Sequence, residues 1–281
     1  CGLNHIDLWL RKGQPAGFFH LPLVPGADIT GLVDACGAGV DAQWLGQDVI
    51  AAPQYSCGVC AACVAGQQNF CRGWGMYGET RDGGCREYAV VNVAGLAVKP
   101  PGISFAEAAT LPLVNLTAWH MLVARAGVRP GMTVLIHAAG SGVSSAGIQI
   151  AKLFGARVIT TASSAEKIEK AQAIGADHVI NYREEDFQQA TRAIVGREGV
   201  DIVFDHVGLD VFGKSLRLLK RGGTLVTCWT TSGNLVEVDM RVVFFKSLSI
   251  LGSTMGSHGE FSEVIKLAGQ GGLRPILDST F

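Results

Sequence analysis

The chain has 281 residues, of which 48% are hydrophobic and 17% charged, and its 23 basic residues nearly balance its 24 acidic ones. That length suits two ordinary domains, each with its own core. Near-neutral charge without a basic tract argues against a nucleic-acid partner, and no apolar run reaches the roughly 18 residues of a membrane span.

The chain opens without Met on an ordered-looking run, 2–10, and ends at Phe281 just after a strand-like approach. It is expected to continue beyond both ends. Up to about residue 110, short apolar runs are broken by Gly and Pro, as in 31–39 and 48–53. Short strands with such turns predict a β-rich, barrel-like domain.

Within this domain, residues 57–71 carry Cys57, Cys60, Cys63 and Cys71 at the spacing C-x2-C-x2-C-x7-C. Four soft thiolates so close together favour tetrahedral zinc, and a full shell of sulfurs leaves no open position for a substrate. The reading is one structural zinc per chain. A ferredoxin-type cluster would place its last Cys closer and follow it with Pro, whereas Arg72 follows here. Cys1, Cys36, Cys85 and Cys228 are scattered singly and read as free thiols, which suits a reducing cytoplasm.

From about Thr117 the pattern becomes alternating strand and helix. Strands are expected at 134–137, 157–161, 178–181, 201–205, 224–228 and 248–252. Helices are expected from about 142 to 154 and at 166–174, 184–195 and 211–219, the last closed by Gly222 and Gly223. This alternation predicts an α/β fold with a doubly wound parallel sheet.

After the first of these strands comes Gly140-Ser141-Gly142-Val143, just where a helix begins. Small residues let the backbone approach a diphosphate, and the amides of a helix N-terminus favour its charge. The match to G-x-G-x-x-G/A is imperfect, with Ser145 in the third place. After the second strand come Ser163 and Ser164, with Lys167 one turn on and no carboxylate before Glu166, while Tyr182 closes the third strand. Hydroxyls and an ammonium without a carboxylate suit a 2′-phosphate, so NADP is expected, with NAD the alternative.

Taken with Gly2-Leu-Asn-His-Ile-Asp-Leu8, Pro25-Gly-Ala-Asp-Ile-Thr-Gly31, Leu111-Pro-Leu-Val-Asn-Leu-Thr-Ala-Trp119, Ile180-Asn-Tyr-Arg-Glu-Glu185 and Asp205-His-Val-Gly208, these motifs run through essentially the whole chain. The chain resembles the medium-chain dehydrogenase/reductase superfamily, which holds zinc-containing alcohol dehydrogenases and quinone oxidoreductases. The resemblance implies a GroES-like β-barrel catalytic domain over 1–116, with the four-Cys lobe at about 55–75. It implies a Rossmann dinucleotide-binding domain over 117–255 and a return to the catalytic domain over 256–281. It also implies a homodimer or homotetramer, paired through the sixth strand near 248–252.

Matched onto this chain, the family's catalytic zinc ligands fall on Asn4, Ala27 and Leu113, with Asp28 at the acid of its Gly-His-Glu motif. Ala and Leu cannot ligate a metal, and a zinc-bound alkoxide is not expected. Asn4, Asp7 and Thr117 instead resemble the metal-free quinone and enone reductases, which usually lack the four-Cys lobe. Ser163, Lys167 and Tyr182 look like that branch's 2′-phosphate contacts.

The expected reaction is hydride transfer from NAD(P)H to a carbonyl-conjugated double bond or quinone, its developing negative charge met by hydrogen-bond donors. Asn4 is the candidate donor, since its amide carries two N–H groups. Thr117 is a candidate to orient the nicotinamide ribose or amide. Asp7 is a candidate catalytic residue or a brace for the local backbone, and His5 a candidate contact to the cofactor diphosphate. Asp205 and Val207, at the end of the fourth strand, are candidates to lie beside the nicotinamide, though Asp205 also reads as a strand-end cap. The alternatives are an alcohol dehydrogenase or aldehyde reductase with an atypical site, and a regulatory protein that holds NADPH without turnover.

Overall fold

Short β-branched strands alternating with one-sided helices build the second half of the computed structural model, which describes residues 1–13, 19 and 21–281. The chain divides into two compact units, Cys1–Leu116 with Met255–Phe281, and Thr117–Thr254.

The first unit opens with α1 (His5–Arg11), whose N-cap is Asn4. Strand β1 (Thr30–Leu32) pairs antiparallel with β2 (Asp48–Ala51). Strands β3 (Gln54–Tyr55) and β4 (Gly75–Met76) form a ribbon that brackets the cysteine lobe, with the single turn α2 (Ala61–Val64) inside it. Strand β5 (Leu96–Val98) completes the sheet beside β2. Among the described residues the strands of this GroES-like domain thus form a three-stranded sheet and a two-stranded ribbon, not a closed ring. The turn α3 (Phe105–Ala108) starts at a capping box in which Ser104 and Glu107 satisfy each other's amides. Helix α4 (Pro112–Trp119) follows and widens into a π-helical stretch at His120–Arg125, where the Ala126 amide reaches back five residues to Met121.

The second unit is a Rossmann-like sheet flanked by helices. In chain order it contains β6 (Thr133–Ile136), α5 (Gly142–Leu153), β7 (Arg157–Ala162), α6 (Ala165–Ala173) and β8 (His178–Asn181). It continues with α7 (Phe187–Val195), β9 (Val200–Asp205), α8 (Phe212–Leu218), β10 (Leu219–Thr227), α9 (Met240–Lys246) and β11 (Ser249–Gly252). The six strands are parallel in the order β11-β10-β9-β6-β7-β8. The winding reverses between β6 and β9, where Ile136 lies beside Phe204, and doubly wound sheets take their ligands at such a switch point. Strand residues Leu135, Ile159, Val203 and Leu225 meet Phe187, Phe212 and Leu216 from α7 and α8 in one buried core. Helix α10 (His258–Gly269) returns the chain to the first unit, entered by a second capping box of Ser257 and Glu260.

Two boundaries differ from the sequence reading by more than a residue. Helix α7 starts at Phe187 instead of 184, because the Asp186 carboxylate accepts the Gln188 and Gln189 amides at 2.9 and 3.0 Å and so sets the N-cap. Gly222 and Gly223 do not close α8. They lie inside β10, where the register against β9 shifts between Leu219 and Thr224, and Gly222 takes φ +73°. The carbonyls at the end of α8 are met instead by Lys246, whose Nζ donates to Arg217 O at 2.8 Å and Leu219 O at 2.6 Å.

Candidate functional site

The C-terminal edge of the parallel sheet gathers most of the residues singled out as cofactor contacts. Strand β6 ends at Ile136, and the chain turns through Ala138, which holds the left-handed φ of +56°. The Ala138 amide donates to Thr161 Oγ1 at 2.9 Å, so β7 pins the turn. Ser141 is the N-cap of α5, and Gly142 and Val143 form its first turn. Ser145 Oγ donates back to the carbonyls of Ala139 and Ser141, at 3.1 and 3.0 Å.

A Cβ on Gly140 would come within 2.9 Å of Lys167 Cδ, so the stem of Lys167 lies directly over the turn. A Cβ on Gly147 would meet the Phe204 ring at 3.4 Å and Ile136 Cδ1 at 3.6 Å. Gly147, two residues beyond Ser145, thus faces the strands at ordinary contact distance, so a methyl group would fit there.

Ser163 and Ser164 follow β7, and Ser164 caps α6 by accepting the Lys167 amide at 3.4 Å. Tyr182, half exposed, follows β8 with its amide on Ala162 O at 3.1 Å. Asp205 ends β9, fully buried, and its Oδ1 accepts the Val207 and Gly208 amides at 2.8 and 3.2 Å. Its Oδ2 has no partner, and burial pushes its pKa up to about 6 against the pull of those amides. Cys228, whose amide lies on Asp205 O, is pushed up to about 12 by burial and the Asp205 charge, so its thiol stays protonated.

Behind the turn, His137 is buried with Nε2 2.8 Å from Ser215 Oγ. Burial, helped by His206, drives its pKa down to about 3, so the ring is neutral and serves packing. Ser144 Oγ donates to His137 O at 2.7 Å and lies 2.8 Å from His206 Nε2. Sequence reasoning missed this network, because its partners are up to 78 residues apart.

Asn4, His5 and Asp7 gather at the start of α1 in the first unit. Asp7 is buried. Its Oδ2 accepts the Asn4 amide N–H at 2.8 Å and its Oδ1 the Gly26 amide at 2.9 Å, tying the helix to the following loop. Asn4 Nδ2 donates to Asp28 Oδ2 at 2.7 Å, and Asp28 Oδ1 accepts the Leu113 amide at 2.7 Å. Burial raises the Asp28 pKa to about 7, although both of those hydrogen bonds pull it down. His5 is exposed with its ring 5.8 Å from Trp9, and Thr117 is buried in α4.

The four cysteine sulfurs lie within 4.8 Å of one another. The pairs Cys57–Cys71, Cys60–Cys63 and Cys57–Cys63 stand at 3.5, 3.6 and 3.9 Å. Tetrahedral zinc with about 2.3 Å bonds sets its sulfurs about 3.8 Å apart, so the donor set fits that ion. The lobe is fastened to its own unit by glutamines. Gln68 bridges Cys63 O at 3.5 Å and the His258 amide at 3.2 Å, and Gln54 accepts Trp74 Nε1 at 2.8 Å while donating to Gly256 O.

The positions matched to a catalytic zinc do not fit one. Asn4 spends an N–H on Asp28, Ala27 is wholly buried without a donor, and Leu113 contributes only its backbone amide to Asp28. Among the described residues no second group of three or more His, Cys, Asp or Glu gathers as the cysteines do. No described helix is long and apolar enough to cross a membrane.

Residues 1–101 match the alcohol dehydrogenase GroES-like domain, and 142–270 the zinc-binding dehydrogenase domain. A crotonyl-CoA reductase of Streptomyces collinus is 32% identical over 91% of this chain, which spans 62% of that relative's length. The crystal structure of an NAD-dependent alcohol dehydrogenase, 45% identical, superposes with TM-score 0.93 over 98% of this chain and 80% of its own. The crotonyl-CoA carboxylase/reductase AntE in complex with NADP, 25% identical, gives TM-score 0.91 over 98% of this chain and 76% of its own.

Proposed function

The chain belongs to the medium-chain dehydrogenase/reductase superfamily, and from that premise we propose that it is an NADPH-dependent reductase of activated double bonds. Its substrate is a carbonyl-conjugated alkene, such as an enone or enoyl thioester, or a quinone. One observation carries this reading. The place matched to a catalytic metal holds a carboxylate–amide clamp, Asp28 on Asn4, which positions a hydrogen-bond donor and leaves no ligand set.

The nicotinamide supplies the hydride when bound. The turn from Gly140 to Val143 holds the diphosphate on its small residues and helix amides, and Lys167 with Ser163 and Tyr182 takes the 2′-phosphate. Asp205 shapes the end of β9 by fixing the Val207 and Gly208 amides. Asp28 orients the Asn4 amide so that its second N–H is presented to the enolate or hydroquinone oxygen, where a preorganised donor stabilises developing charge. An unactivated alcohol gains little here, because among the described residues no metal-ligand set stands at this place to lower its hydroxyl pKa. The cysteine lobe is a closed structural zinc site within the same reading. Assembly as a homodimer or homotetramer along β11, in the cytoplasm, completes it.

The test is oxidation of NADPH and NADH by the full-length protein, followed optically with an enone, a crotonyl thioester and a quinone in turn. Alcohols with NADP or NAD serve as the comparison. Faster turnover of the conjugated acceptors, and of NADPH, is expected. Preferential alcohol oxidation with a second bound zinc overturns the proposal in favour of an alcohol dehydrogenase. Binding of NADPH without turnover of any acceptor overturns it in favour of a regulatory protein.

A further inference from the structure

Two of the cysteines that the sequence scatters come together in the first unit. A Cβ on Gly26 would stand 2.5 Å from Cys1 Sγ and 2.8 Å from Cys85 Sγ. The two sulfurs are therefore no further apart than the sum of those distances. Yet one lies ahead of α1 and the other beyond the β3–β4 ribbon. Both cysteines are exposed, and neither belongs to the four-sulfur lobe.

The backbone fixes this approach from both sides. The Cys85 amide donates to Pro25 O at 3.1 Å and the Gly84 amide to Gly26 O at 2.8 Å. On the other side, the Gly2 amide donates to Asp28 O at 3.1 Å. Both cysteines thus hang on the one segment 25–28. A Cβ on Gly84 would stand 3.2 Å from Cys1 Sγ, so that sulfur also lies against the residue before Cys85. Gly26 takes the left-handed φ of +101°, and a side chain there would fill the space the two sulfurs share.

Thiols held this way react as a pair. Once one of them carries a small disulfide partner, attack by the other is intramolecular and needs no second encounter. Exposure lets an oxidant in to make the bond and a small thiol in to break it, so the bond is redox-responsive and not a permanent cross-link.

We propose that Cys1 and Cys85 are a modification site, forming a reversible disulfide by exchange with a small aliphatic disulfide of the oxidised-glutathione class. One cysteine thiolate attacks a sulfur of the oxidant, forming a mixed disulfide and expelling one small thiol. The other cysteine then attacks the protein sulfur of that mixed disulfide, forming the bridge and expelling the second. Two electrons pass from the cysteine pair to the oxidant, and the two cysteine protons end on the two released thiols. The bridge crosses the segment that carries Asp28, whose carbonyl holds Gly2 and whose carboxylate holds Asn4. It therefore ties together the chain segments around that pair.

The test exposes the full-length protein, supplied with zinc, to oxidised glutathione. Remaining thiols are then blocked with iodoacetamide, and intact chains and peptides are weighed by mass spectrometry. The expected result is a single chain lighter by two hydrogens, with the peptides of Cys1 and Cys85 linked and Cys36 alkylated. Dithiothreitol should return both cysteines to the alkylated pool. Cys85→Ser should form no linked pair, its Cys1 ending on glutathione or alkylated. The linkage is read in the native protein, so a variant that fails to fold leaves the result intact. Alkylation of both cysteines, arrest of either at a mixed disulfide, or linkage to any other cysteine or between two chains would each overturn the proposal.

Discussion

Asn4 Nδ2 stands 2.7 Å from Asp28 Oδ2, and the other oxygen of that carboxylate holds the Leu113 amide at the same distance. Two positions matched to catalytic zinc ligands are thus joined through one buried acid. A carboxylate accepts from both donors at once, and an amide does not.

Asp28→Asn checks this pair through stability. The folded pKa of about 7 lies above the roughly 3.9 of an unfolded aspartate. The folded state therefore holds this proton more tightly. Its stabilisation is full below about pH 4 and is lost as pH rises through 7. The variant carries no such titration, and it forces an N–H against a donor at a cost of about 1–3 kcal/mol. The melting temperature of the native chain should exceed that of the variant at pH 5, and the gap should narrow by pH 8. A gap independent of pH would rule out titration of Asp28 in this range.

Lys167→Ala addresses the coenzyme. Hydrogen bonds to charged groups contribute about 1.5–3 kcal/mol, or roughly ten- to hundredfold in affinity. NADPH should weaken by about that factor while NADH changes little, measured by fluorescence titration. Equal losses for both coenzymes would remove Lys167 from the 2′-phosphate.

Cys60→Ser addresses the metal lobe. Zinc content by elemental analysis should fall from about one per chain to well below it, because structural sites bind through their full ligand set. Hydrogen exchange should rise over 55–75 and at the His258 amide, which Gln68 ties to the lobe. Unchanged metal content would show that the four sulfurs do not act as one site.

Gly147 separates packing from chemistry. A methyl there stands 3.4 Å from Phe204, an ordinary contact, so Gly147→Ala should be neutral or stabilise by up to about 1 kcal/mol through helix propensity. Gly147→Leu should destabilise by about 1–3 kcal/mol through overpacking. Chemical denaturation of both variants checks the order, and the reverse order would contradict the packing of α5 on β6 and β9.

Much of this protein is written in local sequence. The alternation of apolar runs with one-sided helices is enough to specify a doubly wound sheet, because strand and helix periodicities are set by neighbouring residues. The four cysteines are legible for the same reason, since a 15-residue stretch carries a whole ligand set. The small residues at 140–143 likewise announce the turn.

What stayed hidden depends on residues far apart in the chain. Asp28 meets Asn4 across 24 positions and Leu113 across 85, and Ser144 meets His206 across 62. Gly222 and Gly223 look like a helix stop in sequence, yet pairing with β9 draws them into a strand. Only tertiary packing brings such pairs together, because burial and hydrogen-bond partners are properties of the folded neighbourhood and not of the local chain.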